Sequence, residues 1–484
     1  MHMSREAIVE GLRRLLGAES VVTDEEVLKH ASVDNFRKLE DIFGVYTRPL
    51  PAAVVMAGST EEVVEVLRFA DEHGINVVPR TGGTATEGGL ETDEPNSVVL
   101  DGSRMNQIID IDTYNMQATV QCGVPLQVLE DRVRELGMTT GHSPQSKPVA
   151  HLGGLVATRS IGQFSTLYGG IEDMVVGLEA VFAGGRVARI KNVPRRAAGP
   201  DIRHIVIGNE GALCFITEVT VKLFPYLPQN NRFLGYTLKS MKTGFEVLRQ
   251  VMVNGYKPSV ARLYDPGDAG LHFSHFAEPD DCVLAFMTEG AAGISAATAA
   301  GIEAIVGEFA ECQPVEGKLI ETWFNNLCWG PDDIAHENER IYQTKNVNRT
   351  TEISANWSRI YDIYENALRR IVTEIPDITM AGGHSSHSYI NGTNMYFNYF
   401  YNVVDCPPEQ EVDKYYLPII SIICEETLRG GGSIVHHHGL GKARVPWVKE
   451  EYGSSFFMLE ALKQAFDPHG IMNKGTIFPS DVVK

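Results

Sequence analysis

Three adjacent histidines, His436, His437 and His438, are the residues of this sequence best suited to moving protons. Histidine titrates close to neutral pH, so it is the natural general base of an enzyme. Adjacent side chains of an extended segment alternate between two faces, which allows two of the three histidines to point into one cavity. The alternative is an exposed histidine run that binds metal by chance. The surrounding glycines, Gly430–Gly432 and Gly439, indicate tight backbone packing. The catalytic interpretation is favoured because histidine is the natural base near neutral pH.

A glycine loop with the sequence PRTGGTA spans residues 79–85. Glycines permit close approach of the backbone, and successive N–H groups in such a loop form a nest that suits a pyrophosphate. Taken alone, the loop is equally typical of a surface turn, and it lacks the GxGxxG spacing of a Rossmann fold. Further small-residue segments occupy 141–146, 153–160 and 208–213. Several such loops in one half of the chain favour an extended dinucleotide over a set of unrelated turns.

A second polar cluster lies upstream of the histidine run, where HSSHSY (384–389) is followed by NMYF (394–397). Alternating aromatic residues predict a strand there, and core packing is the ordinary explanation of such a pattern. His387 together with the histidine run could hold a metal ion weakly.

The glycine loop follows a predicted βαβ unit. A short apolar strand at 53–56 precedes Ser59-Thr60-Glu61-Glu62, which has the spacing of a capping box. The helix that follows ends at Gly74, and a second strand at 76–79 runs directly into the loop. The elements predicted next are strands at 97–101 and 116–122, a helix from Pro125 to Gly137, a hairpin across 174–190 and a strand within 212–224.

The pattern changes at Pro225 and at the sequence PQNN (228–231), which place a domain boundary near residue 228. We therefore expect one domain over 1–228 and another over 229–484. The second part alternates between helices and strands and predicts an α+β domain. Its predicted helices cover 241–254, 292–309, 357–374 and 409–429, and its predicted strands cover 282–288 and 394–404.

The composition excludes several classes of partner. The 484 residues contain 43 % hydrophobic and 21 % charged residues, as in ordinary globular proteins. Lysine and arginine number 42 against 62 aspartates and glutamates, and the net charge of −20 disfavours nucleic acid and anionic membranes. No apolar run is long enough to span a bilayer, and the initial MHMS lacks the pattern of a secretory signal. Seven scattered cysteines without a CxxC pair predict a reduced, cytoplasmic protein.

The motifs together resemble those of the vanillyl-alcohol oxidase / p-cresol methylhydroxylase (PCMH-type) flavoproteins. In the first half the resemblance rests on PRTGGTA, GHSPQS, GGLVATRS, YGGIEDMV, GPDIRHIVIGNEGAL and ITEVTVKLFP, and in the second half on HSYINGTNMYF, GGSIVHHHGLGK and FDPHGIMNKGT. Within the superfamily the chain resembles the alkyldihydroxyacetonephosphate synthases most, and also bacterial FAD-linked oxidoreductases. The resemblance implies an α+β fold with a two-part FAD-binding domain. It also implies a substrate (cap) domain and a C-terminal helical segment that returns to the flavin.

The resemblance implies that the cofactor is FAD, and it assigns a set of contact residues to it. Family members with a covalent flavin carry a histidine just after the two glycines of the loop. Thr84 occupies that position here, so we expect FAD to be held without a covalent bond. The expected contacts are Pro79, Arg80, Thr81, Gly82, Gly83, Thr84, Ala85, Gln145, Ser146, His151, Gly154, Thr158, Ser160, Glu210, Gly211 and Ile216.

The resemblance also implies the catalytic set. Tyr396 aligns with the proton-transferring tyrosine of the synthases, and the run His436–His438 belongs to their active site. Arg262 aligns with an active-site arginine, where it would offer a fork to a phosphate or carboxylate; a surface ion pair is its alternative. Related D-2-hydroxyacid dehydrogenases carry a metal site on this strand. Here Tyr396 and His437 replace two of its ligands, so no metal is expected.

From these observations we expect an FAD-dependent oxidoreductase that oxidises a small, polar, anionic hydroxy substrate by hydride transfer to the flavin. The alternative is a redox-neutral transferase of the alkyldihydroxyacetonephosphate synthase type, in which an acylated dihydroxyacetone phosphate is converted to an ether. The expected partners are the small-molecule substrate, an electron-acceptor protein and a second copy of the chain in a homodimer. Neither nucleic acid nor a membrane span is expected.

Overall fold

The computed structural model describes residues 3–479 and residue 482. Its strands are β1 (Val21–Val22), β2 (Ala53–Met56), β3 (Val77–Arg80), β4 (Val98–Asp101), β5 (Ile108–Asp112), β6 (Gln117–Gln121), β7 (Met138–Thr139), β8 (Val175–Phe182), β9 (Arg186–Ile190), β10 (Cys214–Lys222), β11 (Phe224–Pro225), β12 (Arg232–Leu238), β13 (Val260–Tyr264), β14 (Cys282–Thr288), β15 (Gln313–Val315), β16 (Asn346–Asn356), β17 (Ile378–Ser385) and β18 (Gly392–Asn402).

The α-helices are α1 (Arg5–Leu16), α2 (Glu25–Ala31), α3 (Lys38–Phe43), α4 (Thr60–His73), α5 (Leu126–Arg134), α6 (Leu152–Ala157), α7 (Ser165–Tyr168), α8 (Ile171–Met174), α9 (Arg203–Val206), α10 (Met241–Val253), α11 (Pro266–His272), α12 (Ala292–Val306), α13 (Gly317–Asn325), α14 (Pro331–Thr344), α15 (Trp357–Glu374), α16 (Leu417–Arg429), α17 (Val448–Tyr452) and α18 (Phe456–Phe466). In that part of the chain, no helix has the length and apolar character needed to cross a membrane.

The βαβ unit forms as the sequence predicts. The side chain of Ser59 caps α4 by accepting a hydrogen bond from the backbone N–H of Glu62, and α4 ends at Gly74 in the left-handed region. The sheet has the order β1-β2-β4-β3, with β4 parallel to both β2 and β3. The carboxyl end of β3 delivers the glycine loop to one edge of this sheet.

A second sheet has the order β5-β6-β10-β8-β9 and is antiparallel throughout. Its β8–β9 connection is the predicted hairpin, in which Gly184 and Gly185 both take positive φ. The apolar face of α5 packs onto this sheet through Leu126, Leu129 and Val133. These elements carry the small-residue segments of the first half.

The largest sheet belongs to the second half and has the order β15-β12-β14-β13-β17-β18-β16, with every neighbouring pair antiparallel. One face is covered by α10, α15 and α16. Leu263, Met395 and Phe397 point into the core on that covered face. Because side chains alternate along a strand, Arg262, Tyr264 and Tyr396 lie on the opposite face.

The predicted helix at 409–429 is interrupted near its start. Residues 412–416 form a π turn, and the α-helix α16 begins only at Leu417. Pro418 has no N–H to donate to the carbonyl four residues earlier, which accounts for the wider turn before it.

The end of the chain returns to the first half. Met472 pairs with Val77 of β3, and the ammonium group of Lys463 donates to the carbonyl oxygens of Ala212 and Met472 at 2.8 Å each. This return places the histidine run between the first-half loops and the large sheet. The structure thus confirms the predicted α+β class.

Candidate active site

A cavity of about 460 Å³ lies between the glycine loops of the first half and the open face of the large sheet. Every residue that the sequence analysis names as a cofactor contact lines this cavity, from Pro79 to Ile216. Of the proposed catalytic residues, Arg262, Tyr396, His437 and His438 line it as well, whereas His436 does not. The size and the mixed lining are typical of a site for a small molecule or a cofactor.

The loop that follows β3 provides the first wall. None of the backbone N–H groups from Thr81 to Thr86 donates a hydrogen bond to another described residue. Gly83 takes a positive φ of 67°, and a Cβ on Gly82 would lie 2.8 Å from the carbonyl oxygen of Val149. A run of unpaired amides held against a neighbouring segment is the donor set that a pyrophosphate requires. The residues present therefore fit FAD.

Strand register builds the second wall. Tyr264 of β13 pairs with His384 of β17, His384 pairs with Tyr396 of β18, and Tyr396 pairs with Glu352 of β16. The His384 ring stacks between the two tyrosines, with centroid distances of 4.8 Å to Tyr264 and 4.9 Å to Tyr396. This row crosses four strands and holds Tyr396 rigidly at the cavity.

The hydroxyl of Tyr396 joins two of the three histidines. It lies 2.7 Å from Nε2 of His437 and 2.9 Å from Nε2 of His438. Burial raises the pKa of Tyr396 above its ordinary value and lowers the pKa of His437 well below its ordinary value. At neutral pH the pair is therefore a neutral phenol hydrogen-bonded to a neutral imidazole, which can accept a proton.

His436 lies behind His437 rather than in the cavity lining. Its Nδ1 lies 2.8 Å from Nδ1 of His437, and its Nε2 lies 2.8 Å from the hydroxyl of Tyr389. Burial lowers the pKa of His436 to about 4, so this ring is also neutral near pH 7. Two of the three rings face the cavity as the sequence allows, but the expected alternation is wrong: the two are the consecutive His437 and His438, because the run forms bends rather than an extended strand.

The buried carboxylate of Glu352 organises the backbone of the histidine run, and Arg444 links this segment to a second buried carboxylate, Glu87. Glu352 accepts hydrogen bonds from the backbone N–H groups of His436 and His438, at 2.5 Å and 2.7 Å. Arg444 donates to both carboxylate oxygens of Glu87 at 3.1 Å and to the carbonyl oxygen of Glu352 at 2.9 Å. Burial alone would raise the pKa of Glu352, but Arg444 and the neighbouring histidines outweigh it and the pKa is lowered.

Arg262 is buried without a counter-ion. Its side chain is 4 % exposed, and no carboxylate of the described residues lies within ion-pair distance of it. Its Nη1 donates to the hydroxyl of Tyr264 at 2.7 Å, its guanidinium lies 5.4 Å from the ring centroid of Trp323, and its Nε has no partner. An unpaired buried cation with a free donor is costly unless an anion completes it. The geometry rules out the surface ion pair as its role.

The structure adds an acid–base pair that the sequence analysis did not single out. Nδ1 of His384 lies 2.5 Å from Oδ2 of Asp268, and both residues line the cavity. Asp268 follows Pro266 in the first turn of α11, where the sequence signal is that of a helix start rather than a site. Only the pairing of β13 with β17 brings the two residues together, across a separation of 116 positions.

His387, the other candidate of that segment, also lines the cavity. Its Nδ1 lies 2.7 Å from the hydroxyl of Ser165, and its ring stacks on His436 with centroids 5.3 Å apart. Within residues 3–479 and 482, no group of three or more His, Cys, Asp or Glu side chains has the arrangement of a metal site.

Comparisons with known proteins agree with this geometry. A family model described as FAD binding domain matches residues 51–191, and one described as FAD linked oxidases, C-terminal domain matches residues 227–477. The chain is 66 % identical over 482 residues to YgcU of Escherichia coli (strain K12), named as an uncharacterized FAD-linked oxidoreductase, and the match covers 99 % of both chains.

Two more distant matches carry the same name. The chain is 27 % identical to the alkyldihydroxyacetonephosphate synthase of Trypanosoma brucei brucei, over 98 % of this chain and 81 % of the relative. A solved structure of an alkyldihydroxyacetonephosphate synthase superposes with a TM-score of 0.78 at 22 % identity, covering 98 % of this chain and 86 % of the other. At that identity the superposition establishes the fold alone.

Proposed function

Since the chain belongs to the FAD-linked oxidases and oxidoreductases, we propose that it oxidises a small, polar, anionic hydroxy compound in the cavity between its two walls. The protein is an FAD-linked oxidoreductase, and FAD is its cofactor. The nature of the substrate is the part that we propose.

One observation carries the proposal. The hydroxyl of Tyr396 lies within 2.9 Å of two imidazole nitrogens in the same cavity as the unpaired guanidinium of Arg262. Oxidation of an alcohol needs a group that removes the hydroxyl proton as hydride leaves carbon, and an acidic substrate needs a cation to orient it. Tyr396 with His437 and His438 meets the first need, and Arg262 meets the second.

The roles of the residues follow from their protonation states. His437 is neutral, so its Nε2 accepts the proton of Tyr396 as the tyrosine oxygen takes the proton of the substrate hydroxyl. The guanidinium of Arg262 forks onto the carboxylate or phosphate of the substrate and holds the reacting carbon in place. FAD, when bound, supplies the redox chemistry by accepting the hydride.

A redox-neutral synthase is the second candidate function. It is favoured by the relative from Trypanosoma brucei brucei and by the combination of Tyr396 with a histidine run, which that family shares. Arg262 would then bind the phosphate of an acylated dihydroxyacetone phosphate, a different use of the same anion site.

Anaerobic mixing of the yellow holoenzyme with a substrate panel separates the two candidates. The panel contains 2-hydroxy acids, sugar acids, sugar phosphates, the neutral alcohol matched to each, and acylated dihydroxyacetone phosphate. We expect an anionic hydroxy compound to bleach the flavin, and its neutral analogue to bleach it far more slowly. An ether product formed without net bleaching would select the synthase and contradict the oxidation.

We also propose that FAD is bound without a covalent link, because Thr84 stands where linked relatives carry histidine. Acid precipitation should release all the yellow colour into the supernatant. Colour retained by the pellet would contradict this and would identify another attachment residue.

The division at residue 228, the cytoplasmic location, the homodimer and the electron-acceptor protein are part of the same proposal. The boundary is supported by the two family matches, because the first ends at residue 191 and the second begins at residue 227. The location is supported by seven free cysteines. Sedimentation velocity tests the dimer, and reoxidation of the reduced enzyme by dioxygen, by a quinone or by a redox protein tests the acceptor.

A further inference from the structure

Four side chains are hydrogen-bonded in series from the cavity outward. The hydroxyl of Tyr396 lies 2.7 Å from Nε2 of His437, and Nδ1 of His437 lies 2.8 Å from Nδ1 of His436. Nε2 of His436 then lies 2.8 Å from the hydroxyl of Tyr389. Each imidazole therefore uses both nitrogens within the series, which is the bonding that proton transfer along a chain requires.

The protonation states restrict this series to two arrangements. Both imidazoles are neutral because burial lowers the pKa of His436 to about 4 and that of His437 well below its ordinary value. Two neutral rings that share an Nδ1–Nδ1 hydrogen bond must be opposite tautomers, since one nitrogen donates and the other accepts. Either every donor points outward from Tyr396 to Tyr389, or every donor points inward.

The outer end of the series meets partly exposed polar groups. Tyr389 is half-buried and precedes Ile390, which is 67 % exposed. Besides burial, the carboxylates Glu172 and Asp173 raise the pKa of Tyr389, so both act on its hydroxyl. Glu172 pairs with the exposed Arg159 at 3.2 Å, and its Oε2 is buried without a hydrogen-bond partner. The series therefore ends at the partly exposed Tyr389, from which a proton can reach water.

The second branch from Tyr396 ends inside the protein. Nδ1 of His438 faces Glu352 at 3.4 Å and Glu87 at 3.7 Å, and both carboxylates are about 1 % exposed or less. Arg444 donates to the carboxylate of Glu87 at 3.1 Å and lies 3.7 Å from the carboxylate of Glu352, so neither carboxylate offers a path to water. His387 stacks on the ring of His436 and meets the ring of His437 edge-on, without a hydrogen bond to either.

We propose that Tyr396, His437, His436 and Tyr389 form a proton relay that carries the substrate hydroxyl proton from the cavity to solvent. The proposal rests on the proposed oxidation of a hydroxy compound and assigns His436 and Tyr389 to it as relay residues. The substrate O–H bond breaks as a new O–H bond forms on Tyr396, whose own proton moves to Nε2 of His437. The Nδ1 proton of His437 moves to Nδ1 of His436, and the Nε2 proton of His436 moves to Tyr389.

The transfer is complete when the proton of Tyr389 passes to water. One proton has then left the substrate, each residue has gained and lost one, and both imidazoles have exchanged tautomers. A proton that returns from solvent through the same bonds in the other half-reaction restores the starting tautomers. No electron moves along the series.

The tautomers can be measured without any substrate or turnover. We expect ¹⁵N-histidine spectra near neutral pH to show His436 and His437 as neutral, opposite tautomers, with one Nδ1 protonated and the other bare. Tyr389→Phe should shift the Nε2 resonance of His436 and leave that ring neutral. The same tautomer in both rings, or a charged imidazolium at either position, would overturn the relay.

Kinetics on the holoenzyme test the direction of transfer. Tyr389→Phe should slow flavin reduction by about 10-fold or more and change its solvent isotope effect, with FAD content unchanged. Tyr452→Phe is the matched control, because Tyr452 also lies near Arg159 at the surface but bonds to none of the four side chains. A Tyr389→Phe rate equal to the control would overturn the relay.

Chemical rescue separates a relay from a structural role. His436→Ala should lower the rate of flavin reduction, and added imidazole should restore much of it because it offers an N–H and a bare nitrogen. N-methylimidazole has no N–H to pass on and should not restore it; equal rescue by both would overturn the relay. Should no hydroxy compound bleach the flavin, the oxidation itself fails, and the tautomer measurement still decides whether the series exists.

Discussion

The loop of residues 79–86 and the face of strands β13, β17 and β18 border the same cavity, yet they present different groups to it. The loop presents backbone N–H groups that have no other partner. The sheet face presents side chains, among them Tyr396, His384 and Arg262, that are set by strand register and by one another. The first wall is suited to binding a phosphate group through its backbone. The second wall holds reactive side chains in fixed positions.

The difference predicts which substitutions each wall tolerates. A backbone wall tolerates many side-chain changes but not a Cβ at a point of close contact, as at Gly82. A side-chain wall tolerates changes in its covered face but not the loss of one polar atom on its open face. The predictions that follow test this contrast, beginning with the largest expected effect.

Removal of the Tyr396 hydroxyl should affect the chemistry and leave FAD binding intact. Tyr396→Phe keeps the ring between His384 and the histidines, so kcat should fall by roughly 10²–10⁴ while FAD content stays the same. Steady-state kinetics and flavin absorbance measure both quantities. Combination with His437→Ala should add little further loss, because the two residues act as one unit.

Tyr399→Phe is the matched control on the same strand. Tyr399 points to the covered face and bonds to Thr351 at 2.7 Å. Its loss should cost about 1 kcal/mol of stability, the value of one neutral hydrogen bond, and leave kcat unchanged. Equal losses of kcat in the two variants would show that the open face has no special role.

A methyl group on Gly82 should have the reverse effect, on FAD rather than on chemistry. The new Cβ would lie 2.8 Å from the carbonyl oxygen of Val149 and 2.9 Å from the backbone nitrogen of His151, so the loop must shift. Overpacking of about 1–3 kcal/mol should weaken FAD binding by about 10-fold or more. Fluorescence titration of the cofactor-free protein measures the affinity.

Gly293→Ala controls for the substitution itself. Gly293 lies in α12 with open space around its Cα, so alanine should raise stability slightly and leave FAD affinity unchanged. An unaltered affinity of Gly82→Ala for FAD would show that the loop adapts to the ligand. It would then contradict the difference proposed between the two walls.

Replacement of Arg262 by lysine tests the anion site at constant charge. The variant loses the fork and the donor to Tyr264, so KM for an anionic substrate should rise about 10-fold, the value of one charge-assisted hydrogen bond. The matched change is Arg249→Lys, since Arg249 makes a partly buried fork to Glu246 on a helix that does not line the cavity. A normal KM in Arg262→Lys would remove it from substrate binding.

The pH profile should reveal how deeply the histidines are buried. A general base must be neutral, and burial lowers the pKa of His436 to about 4 and the pKa of His437 well below its ordinary value. We therefore expect kcat/KM to stay level as the pH falls from 7 to about 5, where an ordinary histidine of pKa about 6.5 would already be protonated. A decline centred near pH 6.5 would contradict neutral buried rings.

The buried histidines His436 and His437 also make the stability of the protein depend on pH. Their pKa is lower in the folded than in the unfolded chain, so the unfolded chain binds more protons below about pH 6.5. The stability that the neutral histidines contribute should therefore be retained above that pH and decrease as the pH falls toward 4. Thermal melting at several pH values measures the trend, and His436→Gln should reduce its slope.

Local signals in the sequence were enough for the first wall. The capping box at Ser59, the stop at Gly74 and the short strand before Pro79 predict the βαβ unit without reference to any distant residue. The glycine loop follows directly, because close packing and positive φ require glycine wherever they occur. Motif resemblance then identified FAD, and the family matches confirm it.

The second wall depended on pairing between distant strands. The sequence marks His436, His437 and His438 as equivalent neighbours, and only the fold turns His437 and His438 toward Tyr396 and His436 toward Tyr389. Asp268 carries no local signal beyond that of a helix start, and it gains a partner because β13 lies beside β17.

The sequence by itself determined the α+β class, the glycine loop that forms the first wall of the cavity, and the presence of a histidine run. Short-range patterns of turns, caps and apolar residues suffice for these features. The tertiary structure alone decided which histidine faces the cavity, that Arg262 is buried without a counter-ion, and that an unbroken series of hydrogen bonds leads outward to Tyr389. Those features depend on strand register and burial, and both are set by residues far apart in the chain. Burial in turn shifts the pKa values of these side chains, which no local motif predicts.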